Sequence, residues 1–176
     1  EPLARAGDFA QPFDFNAGMR LVTNQNFFSV TINGGAATAF DVEKDFRPLS
    51  LSANGTVEGD VVFAGYGLSV PGKLGEGYDS YVGLDVSNKV VLVLRYVPEE
   101  VEAKRRQELN RYAGLRYKAL IARNRGARAL LVVTGPTSPN AGQLASMTFE
   151  SGASGSGIVA ASISGRAAEQ LFAGSG

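Results

Sequence analysis

Cysteine and histidine are both absent from this sequence. Without cysteine there is no disulfide and no thiolate metal site, and cysteine chemistry says nothing about compartment. The missing histidine excludes more, because it is the usual acid/base group near neutrality and the commonest metal ligand. A Ser-His-Asp triad, a Cys-His pair and most zinc sites are ruled out within the sequence. Catalysis would have to rest on carboxylates, lysine, tyrosine or a Ser/Lys pair. Long apolar runs are lacking too. The longest are Val90–Leu94 and Ala129–Val133, far short of the roughly 20 residues that span a bilayer. Net charge is zero, from seventeen basic and seventeen acidic residues, so no global charge points to nucleic acid or membrane. The first residue is Glu1, with no basic and apolar leader pattern after it, and the sequence reads as an excised or processed fragment.

What is present describes a globular domain. Hydrophobic residues make up 44% of the 176 and charged ones 19%, which suits one packed core. The 22 glycines and 7 prolines imply many turns and hence short strands. Phe27–Ile32 is strand-like, Asn33-Gly34 is a tight-turn pair, and Thr38–Val42 is the matching hairpin partner. Phe46–Leu51 reads as extended, because Pro48 disfavours helix at Arg47. Asn54-Gly55 predicts another tight turn. Gly59–Gly67 predicts a buried strand ending in the glycine-flanked Tyr66, and Val70–Tyr78 a Gly/Pro loop. Lys89–Tyr96 is the clearest strand, apolar enough to be covered on both faces.

After Pro98 the composition becomes helical, from about Val101 to Arg125. Ala113, Tyr117, Leu120, Ile121 and Asn124 form one helical stripe, and Gly114 allows the helix to begin there instead. Gly126 stands where a C-terminal cap belongs. Ala127–Thr134 is a second buried strand, which completes a β-α-β unit with a parallel strand pair. Residues 135–157 form a long loop, Gly157–Ile163 a strand, and Ser164 an N-cap for a short helix through Leu171. The order predicts a mixed, β-rich α/β domain with one main crossover helix, too few helices to sheathe a large parallel sheet on both faces.

Several stretches resemble one known family. Phe46–Ser50 followed by Gly59–Gly67, then Tyr78–Val93, then Leu115–Val133 with its Arg125-Gly126-Ala127-Arg128-Ala129 junction, resemble a protease-associated (PA) domain. The closest version is the insert of bacterial aminopeptidases with a co-catalytic two-zinc site, and Ser162–Phe172 resembles the strand and helix closing it. The resemblance covers roughly residues 46–172. It implies a swivelling β/β/α fold with a sandwich-like β core. Residues 1–45 would be a lead-in segment with a β-hairpin, and 46–176 the PA domain. The implied role is non-catalytic: covering or shaping the active-site cleft of a zinc exopeptidase, or engaging its peptide substrate. Zinc would then belong to the catalytic domain of the parent polypeptide, with no cofactor in this chain and a secreted or periplasmic location. A stand-alone interaction module of a cell-surface or secreted protein is the alternative.

Candidate binding residues are Tyr66, Tyr78, Asp79 and Tyr81, aromatic rings and a carboxylate near glycine-rich loops. Each also has a structural reading. Asp79 can cap local backbone while the tyrosines pack on the sheet, and Gly65-Tyr66-Gly67 can simply end a strand. Gly152–Gly157 suggests a phosphate loop, but a strand-like run follows it and no Lys-Ser/Thr pair is present. Glu76, Asp79, Asp85, Glu99 and Glu100 offer carboxylates, with no spacing that makes two of them face each other. A calcium site on such oxygens would lack the Asp-x-Asp-x-Asp-Gly loop. The cation-rich segment 104–128 reads as a solvated face able to dock on an acidic neighbouring domain. Asn54-Gly55-Thr56 is a glycosylation sequon by pattern alone.

Overall fold

The computed structural model describes residues 21–73, 76–147 and 155–174. After a 3₁₀ turn at Thr23–Gln25, the strands are β1 (Phe28–Val30), β2 (Thr38–Phe40), β3 (Phe46–Pro48), β4 (Val61–Phe63), β5 (Ser69–Val70) and β6 (Tyr78–Asp79). Then come β7 (Val90–Leu94), helices α1 (Ala103–Asn110) and α2 (Leu115–Asn124), β8 (Ala129–Val133), β9 (Val159–Ile163) and α3 (Gly165–Ala173). Five strands form the main sheet in the order β3-β9-β8-β7-β4. β4, β7, β8 and β9 run parallel, and β3 is antiparallel on β9. The mixed α/β class read from the sequence therefore holds.

The middle of the sheet is dry on both faces. Side chains alternate along a strand, so Val91, Val93, Leu130 and Val132 join one core and Val90, Leu92, Leu131 and Val133 the other. Fully burying each of these valines and leucines contributes about 1.5–3 kcal/mol. α2 covers the first face through the small side chains of Ala119 and Ala122, which let the helix lie close to the strands. The second face has too few helices, as its composition implies, and a hairpin completes the cover. β1 and β2 pair antiparallel, and Phe28 and Phe40 stack at 5.1 Å beside Phe46 and α3. Asn33 and Gly34 both take positive φ in the hairpin turn, and Gly35 N–H donates to Ile32 O at 2.8 Å. Arg166 of α3 fixes the hairpin exit by donating from both Nε and Nη2 to the buried Asp45 carboxylate. Those hydrogen bonds hold the carboxyl below its usual range.

Four local expectations need correction. Val61–Phe63 is not a buried strand but the sheet's edge, with Val61 and Phe63 40% and 41% exposed. Asn54-Gly55 does not take the positive-φ turn that this pair favours; Ala53 N–H donates to Ile158 O at 2.9 Å, continuing the pairing beside β9. The loop at 70–78 is more than a bare connection, since its two ends pair as the antiparallel hairpin β5–β6. The crossover helix is two helices, broken at residues 111–114. The second starts at Gly114, but its buried face is Lys118, Ala119 and Ala122, while Leu120 points outward. Its end is as expected: Gly126 has φ 84°, its N–H donates to Arg123 O at 2.9 Å, and Ala127 N–H donates to Ala122 O at 3.0 Å.

Lys118 is fully buried in the described fold. Its Nζ donates to Leu94 O at 2.8 Å and Tyr96 O at 2.7 Å, fastening the end of β7, where Tyr96 takes φ 69°. Burial pushes the ammonium down to about 7 from an ordinary 10.5. A neutral amine still has two N–H donors, enough for both carbonyls. Between those pH values the unfolded chain holds a proton that the native chain lacks, so native stability rises with pH, by up to about 1.4 kcal/mol per unit. Denaturant titrations from pH 7 to 9.5 should show this slope, and Lys118→Met should flatten it. An equal slope in the variant would assign the effect to other groups.

Candidate functional site

The four candidate residues lie on and around the β5–β6 hairpin. Gly65 and Gly67, with φ 49° and 62°, turn the chain out of β4, and Gly67 N–H donates to Ala64 O at 2.8 Å. Gly67 also sits against β7: a Cβ there would lie 2.6 Å from Val93 Cγ1. Leu68 and Ser80 then exchange hydrogen bonds of 3.1 and 2.8 Å, which set the hairpin's register. Within it Val70 pairs with Tyr78 and Ser69 with Asp79.

Strand alternation sets Tyr78 and Asp79 on opposite faces, and the flanking turn residues Tyr66 and Tyr81 fall one with each. Tyr66 and Tyr78 pack with Leu68, Val97 and Leu109 under α1. Desolvation, and then the charge of Glu99, pushes the Tyr66 hydroxyl above its ordinary value. Asp79 turns the other way. One carboxylate oxygen accepts from Tyr81 N–H at 2.9 Å and the other from Arg125 Nη2 at 2.6 Å. The Arg125 guanidinium lies 4.7 Å over the ring of Tyr81 and also reaches Ser69 Oγ at 3.3 Å. Tyr81 is only 2% exposed, and its hydroxyl has no hydrogen-bond partner among the described residues. Burial pushes that hydroxyl up to about 12, against the opposing pull of Arg125.

The crossover helices clamp this hairpin from behind. Arg105 of α1 donates to Gly77 O at 3.0 Å, and the Tyr117 hydroxyl of α2 donates to Ser69 O. The cation-rich segment read as a solvated face thus spends much of its charge on internal bonds. Arg106 reaches Glu99 O, Arg123 reaches Ser156 O at 2.7 Å and Arg128 reaches Glu58 O at 3.4 Å. Sequence reasoning missed Arg125 as the organiser of Asp79 and Tyr81. The only available signal was its place beside the Gly126 cap, which fixes the direction of the last helical turn.

An open hollow of about 600 Å³ lies over the hairpin, lined by Val70, Pro71, Lys73, Tyr78, Asp79 and Val82. Val82, at the adjoining turn, is 78% exposed. Tyr78 and Asp79 border the hollow; Tyr66 and Tyr81 do not. The carboxylates do not converge on a cation. Asp79 is held by Arg125, Asp85 accepts from Ser87 N–H, and Glu99 accepts from Ser138 Oγ at 2.8 Å. Among the described residues no group of three or more His, Cys, Asp or Glu side chains could hold a metal ion. Residues 152–154 of the glycine-rich stretch 152–157 lie outside the described residues. At its end Gly157 abuts the Arg123 guanidinium and leads into β9, not a helix. No helix among the described residues is long and apolar enough to cross a membrane.

A mostly parallel sheet, a two-helix crossover and a clamped lateral hairpin define a mixed α/β module. The family model of the PA domain matches residues 57–171, and the chain belongs to that family. PA domains are generally accessory and sit within larger peptidase chains. Among solved structures the chain is similar to an aminopeptidase from Aneurinibacillus sp. strain AM-1, at 17% identity and a TM-score of 0.44. That match covers 74% of this chain and 24% of the other, so the chain spans about a quarter of the aminopeptidase's length. No curated protein matches.

Two measurements probe the hairpin's attachment. Gly67→Ala should destabilise the fold by roughly 2 kcal/mol or more, because it adds both a strained φ and a clash with Val93. A loss below about 0.5 kcal/mol would contradict the close approach. A double-mutant cycle of Asp79→Ala and Arg125→Ala should return a coupling of about 1 kcal/mol, modest because both side chains are a third exposed. Strict additivity would remove Arg125 as the organiser.

Proposed function

We propose that the chain is a non-catalytic accessory domain of a secreted or periplasmic zinc exopeptidase, an aminopeptidase, in which it borders the active-site cleft and engages the peptide substrate. The observation that carries this reading is the β5–β6 hairpin. Its hollow combines apolar walls (Val70, Pro71, Val82) with the Tyr78 ring and the Asp79 carboxylate, on strands that Arg105, Tyr117 and Arg125 bond from behind. Family membership supports the accessory role. The chemistry would lie outside this chain, with zinc held by histidines and carboxylates of the parent's catalytic domain. A preformed hollow of mixed polarity suits an extended peptide, with apolar contacts for affinity and the carboxylate to favour a basic or amino-terminal group.

The test uses the full-length parent. It should contain zinc, cleave peptides from the amino terminus and lose activity to a chelator. Val82→Asp changes a side chain that the fold does not bury. It should raise KM for peptides by about three- to tenfold, while kcat on an aminoacyl anilide too short to reach the hollow stays unchanged. A parent with neither zinc nor aminopeptidase activity would sink the exopeptidase reading. An active parent whose peptide KM ignores Val82→Asp would remove the hairpin from substrate binding.

A further inference from the structure

The two edges of the main sheet are treated differently. At one edge, β3 carries Pro48, which has no N–H to offer, and an Arg47–Glu43 ion pair of 2.8 Å. These are the usual devices against edge-to-edge pairing. The opposite edge, β4, is Val61-Val62-Phe63, with no proline and no charge inside the strand. Its register with β7 pairs Val61 with Val90 and Phe63 with Leu92, and Val90 N–H donates to Asp60 O while Ala64 N–H donates to Leu92 O. In a parallel ladder of that register residues 60, 62 and 64 bond to β7, so the N–H and C=O of Val61 and Phe63 face outward.

The same two residues present apolar side chains. Val61 and Phe63 are about two-fifths exposed, and Phe63 makes an edge-on ring contact of 5.3 Å with Phe172 of α3. Charge around this strip is mostly acidic. Glu58 and Asp60 lead into β4, and Glu169 stands one helical turn before Phe172. Among the described residues no ion pair engages any of the three, and the cation of Arg128 is directed to the backbone carbonyl of Glu58.

We propose that the β4 edge is a docking site for an extended peptide segment in which apolar residues alternate with lysine or arginine, bound as an added strand of the main sheet. The outward N–H and C=O groups of Val61 and Phe63 supply its backbone hydrogen bonds. Its apolar side chains lie on Val61, Phe63 and Phe172, and its cations meet the acidic flank. This mode takes affinity from the main chain and selectivity from alternate side chains. It uses none of the residues of the β5–β6 hollow.

The test takes the 176-residue chain and a short, end-blocked peptide of alternating valine and lysine. Amide exchange followed by NMR should show Val61 and Phe63 N–H exchanging fast in the free chain and protected with the peptide present. The same peptide N-methylated at alternate amides should lose the protection, and its valine-glutamate counterpart should bind at least about tenfold more weakly at low salt. Val61→Lys should abolish binding while leaving the melting temperature within a few degrees. Equal binding of the N-methylated peptide, or no binding of the parent peptide, overturns the proposal. Protection of both amides in the free chain overturns it as well, since the edge would already be covered by the chain itself or by a second copy.

Discussion

The parallel pairing of β7 with β8 is the constraint from which most of this fold follows. Two parallel neighbours cannot be joined by a tight turn, so the chain must leave the end of β7, cross a face of the sheet and return to the start of β8. Both strands are buried on both faces, and the crossing segment must therefore be apolar where it touches and satisfied along its own backbone. A helix with alanines on its inner side meets those demands. Its small residues bring it close enough that its one inward cation, Lys118, ends beside the carbonyls of Leu94 and Tyr96, which lie just where β7 stops. Helix placement and strand termination are thus one event.

The crossover also explains why so many cations gather in a chain of zero net charge. The helices must be tied to loops and strand ends whose carbonyls have no partner in the sheet. A long guanidinium can reach such a carbonyl while its stem covers apolar surface. Arg105, Arg106, Arg123 and Arg128 each find one, and Arg125 joins a carboxylate, a hydroxyl and a ring at once. The hairpin that carries the candidate site is thereby held by the same helices that complete the core.

Legibility followed the strength of the local signal. The runs at 90–94 and 129–133, the glycine cap at Gly126, the Asn33-Gly34 turn and the Ser164 N-cap could all be read because each rests on a residue type with one strong preference. Asn54-Gly55 misled, because pairing with the approach to β9 outweighed the turn preference. β4 misled because an apolar trio does not reveal whether a further strand lies beyond it. The phase of α2 was misread because a lysine held the inward position that pattern reasoning reserves for apolar residues. Candidate residues came from composition and loop position, and the fold gathers them on and around one hairpin. The split of Tyr66 and Tyr78 from Asp79 and Tyr81 depends on pairing register, and a two-residue strand does not announce that in sequence.

Lys118 has one more consequence, in electrophoretic terms. The formal charge balance counts it as a full positive charge, but burial pushes the native group down to about 7, so around neutrality it carries less than that. The unfolded chain regains the remainder as the helix opens. Through this residue, folding shifts the molecule's charge toward the negative side and lowers its isoelectric point, with no carboxylate gained and no side chain chemically altered.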